Sequence, residues 1–213
     1  MLQSLMPSLK ELISADYLSV KTAESERIIG DSLKGLIPVS RPQLKQISGI
    51  PGAGKSTYCI THMPTNYLFL SFDKIMTSMS GYQKTLKAKG AEAAYEQYEM
   101  PARIIGYELL RRALNKKVNI MFEHSGTNNA HIEMFKNLPA IGYQTEADFI
   151  VCDTALAISR IQKRHREISR YVPESLVRER AGKFKDYMKI YKQIAIKTSV
   201  LDGANNFELL KKI

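Results

Sequence analysis

Residues 49 to 56 read Gly-Ile-Pro-Gly-Ala-Gly-Lys-Ser, with Thr57 next, between an apolar-alternating run at 43 to 48 and a helix-forming run at 55 to 63. This is the pattern G-x-x-x-x-G-K-[ST] in its required setting, a strand before and a helix after. Each residue type has a physical task. Gly52 and Gly54 reach backbone angles barred to other residues, so that successive N–H groups turn inward around an anion. The helix N-terminus behind them adds partial positive charge. Lys55 is expected to reach the outer phosphates of a nucleoside triphosphate, and the Ser56 hydroxyl to ligate Mg²⁺. Gly49, Pro51, Gly52, Ala53, Gly54, Lys55, Ser56 and Thr57 are accordingly the expected triphosphate-binding residues.

Such a loop follows the first strand of an α/β sheet, and the rest of the chain supplies one. Residues 67 to 72, 118 to 122, 147 to 152 and 199 to 201 read as further buried strands, separated by helical stretches. The expectation is a doubly wound parallel sheet of five strands flanked by helices. The region from 81 to 117 reads as helical, with breaks near Gly90 and at Met100-Pro101. A long helical region spans 154 to 196, interrupted by Pro173. Ahead of the sheet, Leu2, Leu5, Met6, Leu9, Leu12 and Ile13 form a helical stripe containing Pro7. A second helix is expected over 24 to 33, with Thr22 as its cap. Residues 1 to 42 are therefore expected to be a helical extension and linker, and residues 43 to 213 the catalytic domain.

Ligands bind at the carboxyl edge of such a sheet, which directs attention to the strand ends. The second strand ends at Asp73, 18 residues beyond Lys55. A carboxylate there can take the proton of an attacking hydroxyl, or cap the following helix. The third strand ends at Glu123, a Walker B-like acid that can organise Mg²⁺ or bind acceptor hydroxyls. Ser125 and Thr127 follow as candidate substrate ligands. The fourth ends at Asp153, read as a helix cap. His124 and His131 match no metal-site spacing and read as surface or loop residues. The segment from Ser199 to Asn206 is a candidate for flanking a nucleotide base.

Charge then assigns the remaining region. The chain carries 31 Lys and Arg against 21 Asp and Glu, a net +10. Residues 156 to 198 alone hold 12 basic and four acidic residues. Phosphoryl transfer requires stabilised phosphate oxygens and exclusion of water, which an arginine-bearing lid between the fourth and fifth strands provides. The lid is expected over about 156 to 185, with Arg160 and Arg164 on one helical face and Arg178 and Arg180 beyond Pro173. Two distant cysteines, Cys59 and Cys152, suit a reducing compartment. No apolar run approaches membrane-spanning length, so a cytoplasmic protein without a membrane partner is expected.

The ordered segments GIPGAGKST, SFDK, FEHSGT and RIQKRHREISRYVPESLVRERAGKF resemble the zeta toxin family of P-loop kinases over about residues 43 to 202. The resemblance implies ATP bound at 49 to 57, Asp73 as base, Glu123 and Thr127 in the substrate cleft, and Arg164 with Arg178 or Arg180 stabilising charge. It further implies phosphorylation of a small hydroxylated acceptor such as the nucleotide sugar UDP-N-acetylglucosamine, and an antitoxin partner. The chain departs from the family at Lys74, and at Asn128 and Asn129, where arginines are common. Two other readings stand beside this one. A 5′-hydroxyl polynucleotide kinase would use a similar loop and acid, and its nucleic-acid substrate would explain the positive charge. A nucleotide-binding interaction module would have lost the chemistry.

Overall fold

The computed structural model describes residues 2–9 and 17–212. The expected stripe positions Leu12 and Ile13 lie outside these residues. Six strands form one sheet: β1 (Gln43–Ser48), β2 (Tyr67–Ser71), β3 (Asn119–His124), β4 (Gln144–Val151), β5 (Lys197–Asp202) and β6 (Glu208–Lys212). Their order is β2-β3-β1-β4-β5-β6, parallel except for β6. β1 is thus central and fully enclosed at Leu44 and Ile47. β3 pairs with it on one side and β4 on the other, which opens a crevice at the carboxyl edge where the strand order reverses.

The sheet has six strands rather than five. The sixth was hidden because β6 is short, carries exposed Leu209 and Leu210, and pairs only at the edge. It is reached by a tight reversal in which both Asn206 and Phe207 adopt positive φ, an arrangement a phenylalanine does not advertise.

The helices on the two faces are α1 (Ala23–Leu33), α2 (Lys55–His62), α3 (Phe72–Ser78), α4 (Ser80–Lys89), α5 (Ala91–Lys116), α6 (Asn129–Asn137), α7 (Thr154–Ile168) and α8 (Glu174–Ile194). Before α1, the described residues form short helical segments at Leu2–Leu5, Pro7–Leu9 and Tyr17–Val20. Thr22 caps α1 in a reciprocal capping box with Ser25. Arg112 of α5 then clamps Glu26 through two bonds of 2.7 and 2.8 Å, fastening α1 to the body of the protein.

The break near Gly90 is present, between α4 and α5, but the break expected at Met100-Pro101 is not. α5 runs through Pro101 as one helix of 26 residues. A proline inside a helix costs about 3 kcal/mol. Ala102, Ile105 and Leu109 are buried directly after it, and burying an aliphatic side chain returns about 1.5–3 kcal/mol. Packing therefore carries the helix across the proline. Among the described residues, no helix is long and apolar enough to cross a membrane.

Candidate active site

β1 ends at Ser48, and the chain then wraps into a loop that α2 continues. Gly52 has φ +86°, and a Cβ there would meet the Ala157 carbonyl oxygen at 2.3 Å. Gly54 has φ +104° and serves as the N-cap of α2. Side chains are thus excluded from this loop by both torsion and contact with α7. Lys55 Nζ donates to the carbonyls of Gly49 at 2.8 Å and Ile50 at 3.0 Å. Burial lowers the pKa of this ammonium, against the opposing pull of Glu123 and Asp73. Ala53 is fully enclosed beneath the loop, while Pro51, Gly52, Gly54, Lys55, Ser56 and Thr57 face a cavity of about 600 Å³. Gly49 lies behind its wall, contributing its carbonyl to Lys55.

The strand-end acids converge on that cavity. Glu123 lies inside β3, in register with Ile47 of β1. Ser56 Oγ donates to Glu123 Oε1 at 2.6 Å, and Glu123 Oε2 is buried with no partner among the described residues. A buried, unpaired carboxylate oxygen beside a hydroxyl is a set of hard oxygen donors that suits Mg²⁺. No cluster of three or more His, Cys, Asp or Glu able to hold a metal occurs among the described residues.

Asp73 sits slightly differently from the sequence expectation. β2 stops at Ser71, whose hydroxyl caps α3 by accepting from the Lys74 N–H, so Asp73 lies in the first helical turn and is not the cap. Its carboxylate reaches the cavity, where Oδ2 is paired with Arg170. Burial would raise the Asp73 pKa, but Arg170, Lys55 and Arg164 outweigh it and hold the group below its ordinary value. Asp153 caps α7, accepting from the N–H groups of Ala155 and Leu156.

The basic hairpin α7–α8 closes over this chemistry. Arg160 donates to the Gly203 carbonyl at 2.8 Å, and Arg164 stands one turn further along the same face. Arg180 of α8 donates to Ser125 Oγ at 2.8 Å and Thr127 Oγ1 at 2.9 Å. Ser125 lines the cavity, whereas Thr127 stands behind it as a support for Arg180. Arg164, Arg170 and Arg180 each bury an Nε–H without an acceptor. Unpaired buried donors carry a cost of about 1–3 kcal/mol apiece, and three at one cavity point to an anionic ligand.

Arg178 is not part of this convergence. Its side chain is 65% exposed and bonds Glu174 one turn back on α8, because residues i and i+2 of a helix do not share a face and Arg180 holds the inward one. Replacing Arg178 by Ala is expected to shift stability by no more than about 1 kcal/mol, the range for an exposed ion pair. Arg180→Ala, by contrast, should lower phosphoryl transfer by about 10- to 100-fold, since it removes a buried cation and frees Ser125 and Thr127. Urea denaturation of the first variant and single-turnover assays of the second check the two expectations.

Arg170, in the loop between α7 and α8, and Arg103 on α5 are cavity residues that sequence spacing did not single out. Arg170 precedes Pro173 in a segment without helical period, and Arg103 lies within a long mixed helix where it pairs with Glu99 at 2.5 Å. Loss of Arg170 should raise the Asp73 pKa. The pair stabilises the folded state above the ordinary carboxylate range, and that contribution is lost as pH falls through the depressed value. Arg170→Ala is therefore expected to move the acid limb of the pH–rate profile to higher pH. An unmoved limb would separate Asp73 from the rate.

The two histidines are also placed otherwise than expected. Neither is a surface residue: β3 extends to His124, and His131 falls on the inward face of α6 with no exposure. Burial lowers both pKa values, that of His131 to about 3. The turn after β5 brings Gly203, Ala204, Asn206 and Phe207 to the opposite end of the cavity, beside the phosphate loop.

Comparison with known proteins agrees with this arrangement. The chain is similar to a structure from the PezAT chromosomal toxin-antitoxin system of the human pathogen Streptococcus pneumoniae, with TM-score 0.74 and 14% identity over 90% of this chain and 82% of that one. It is similar to the AvrRxo1-ORF1:-ORF2 structure with ATP, with TM-score 0.69 and 10% identity, covering 89% of this chain and 65% of that one. A structure of the Pnkp1/Rnl/Hen1 RNA repair complex matches at TM-score 0.50 and 15% identity, over 71% of this chain and 46% of that one. At these identities the likeness is one of fold. No curated protein matches the sequence. The zeta toxin family profile, however, matches residues 27–209, running from within α1 into β6 and far beyond the phosphate loop, so the chain belongs to the zeta toxin family.

Proposed function

We propose that this protein is an ATP-dependent kinase that moves the γ-phosphoryl group to a hydroxyl of a small metabolite and acts as a toxin or effector. The observation that carries this reading is the meeting of Lys55, Asp73 and Glu123 with Arg160, Arg164, Arg170 and Arg180 around one cavity. The loop from Gly49 to Thr57 and Lys55 would bind the triphosphate. Ser56 and Glu123 would hold Mg²⁺, which supplies charge neutralisation at phosphate oxygens when bound. Asp73 accepts the proton of the attacking hydroxyl through the oxygen that Arg170 leaves free. Arg164, Arg170 and Arg180 stabilise charge on the transferring group, and the hairpin above them excludes water.

UDP-N-acetylglucosamine is the first acceptor to test, on the family resemblance, and an antitoxin protein is the partner class it suggests. A 5′-hydroxyl polynucleotide substrate is less well supported by the charge distribution. Lys163, Arg178, Lys183, Lys189 and Lys197 are exposed but each pairs with an acid, which offsets part of the basic charge on that surface. The three arginines with unpaired buried donors, Arg164, Arg170 and Arg180, line the cavity instead.

Incubation with γ-labelled ATP and UDP-N-acetylglucosamine, a 5′-hydroxyl oligonucleotide or no acceptor decides among the readings. Label on the sugar nucleotide or another small acceptor supports the proposal. Label mainly on the oligonucleotide makes the protein a polynucleotide kinase. No labelled product across a broad acceptor panel leaves a nucleotide-binding module.

A further inference from the structure

Two histidines lie against this site without a part in the transfer chemistry. His124 ends β3, one residue beyond Glu123, and lines the cavity; His131 is enclosed behind it on α6. Their Nδ1 atoms are 2.8 Å apart and the rings cross at 89°. One Nδ1 must therefore donate and the other accept. The Gly126 N–H settles the direction, because it donates to His124 Nδ1 at 3.0 Å. That nitrogen carries no proton, and His131 Nδ1–H is the donor. His131 Nε2 is then an acceptor, and the Tyr107 hydroxyl donates to it from 3.2 Å.

The chain of bonds leaves His124 neutral, with its proton on Nε2. Nε2 is the ring's one polar atom without a partner among the described residues. Phe122 stacks on the ring at 26° and Phe72 meets its edge, so its plane is fixed. A donor held in one tautomer and one orientation, on the wall of a cavity, discriminates among ligands more sharply than a mobile one.

We propose that His124 is a specificity-determining residue whose Nε2–H donates a hydrogen bond to a neutral oxygen of the phosphoryl acceptor, with His131 and Tyr107 as positioning residues behind it. The inference rests on the kinase reading above and adds to it the group that reads the acceptor. A hydroxyl, carbonyl or amide oxygen is the matching chemistry, since the imidazole brings a directed donor without charge. Guanidinium groups from Arg103 and Arg180 occupy the same cavity and supply the charged contacts.

Amide isosteres separate the two ring positions. His124→Asn keeps a polar atom near Nδ1 and removes the donor at Nε2, whereas His124→Gln places an N–H near Nε2. With γ-labelled ATP and UDP-N-acetylglucosamine or the 5′-hydroxyl oligonucleotide as probes, His124→Asn should raise the acceptor KM by about 10- to 100-fold. The KM for ATP should stay within about twofold, and His124→Gln should recover most of the acceptor affinity. His131→Phe should give a weaker acceptor defect that His131→Asn, which restores a donor near Nδ1, relieves.

An unchanged acceptor KM in His124→Asn overturns the inference, as does an equal rise for ATP and acceptor, or a His124→Gln variant no better than His124→Asn. A wild-type protein that labels no acceptor across a broad panel, these two probes included, overturns the kinase reading before any variant is compared. Should the variants fail to fold, ¹⁵N resonances of the wild-type imidazoles remain decisive. A proton found on His124 Nδ1 would refute the assigned direction of the relay.

Discussion

Asp73→Asn should reduce phosphoryl transfer by about 10²- to 10⁴-fold, the usual contribution of a positioned general base, while ATP still binds. The replacement is isosteric and can still accept from Arg170, so the α7–α8 hairpin keeps its tether to α3. What disappears is the basic oxygen that takes the acceptor's proton. The phosphate loop contacts are untouched, because Lys55 bonds the carbonyls of Gly49 and Ile50 rather than Asp73. Single-turnover transfer from labelled ATP measures the first quantity and titration calorimetry with ATP the second. Transfer lowered by less than about tenfold would remove Asp73 from the role of base.

Replacement of Lys55 by Ala acts on the other reactant. Its ammonium is enclosed at the base of the loop, where burial depresses the pKa and the acids Glu123 and Asp73 oppose that shift. A cation in such a setting acts through short distances and low dielectric, so loss of one preorganised donor costs about 10²–10³ in kcat. Lys55→Ala also leaves Glu123 and Asp73 facing the incoming phosphates without this compensation. ATP affinity and turnover should therefore fall together, whichever acceptor is offered. Lys55→Arg is expected to rescue little, since a planar fork does not fit where Nζ meets two loop carbonyls. Retained ATP affinity in Lys55→Ala would place the triphosphate elsewhere.

These two residues were legible because the chain encodes them locally. Glycines at 52 and 54, the lysine after them and a buried strand ending near an acid are short-range patterns with few alternative uses. The cap at Thr22, the strand positions and the interruption at Pro173 belong to the same class. The break expected at Pro101 shows where local reasoning stops. Proline disfavors a continuous helix, yet the burial of Ala102, Ile105 and Leu109 in the core outweighs it.

The lid illustrates the boundary more fully. Its excess of basic residues was visible along the chain, and so was the kind of target that such charge attracts, an anion. Arg178 and Arg180 are separated by a single residue, and spacing alone offered no means to choose between them. Helical rotation turns Arg180 toward Ser125 and Thr127 and leaves Arg178 with Glu174 in solvent. Arg170 became a partner of Asp73 only because the loop between two helices folds back across 97 residues of sequence.

By itself, then, the sequence determined the glycine-rich phosphate-loop motif, the α/β alternation and the concentration of basic residues late in the chain, since these depend on backbone torsions, periodicity and charge within short windows. Tertiary structure decided which arginines line the cavity, which acid meets which cation, and that the ring of His124 on the cavity wall meets enclosed His131 face to edge. Those outcomes depend on helix rotation and on strands brought together from distant parts of the chain. Their physical cause is packing, which no spacing of residues along one segment contains.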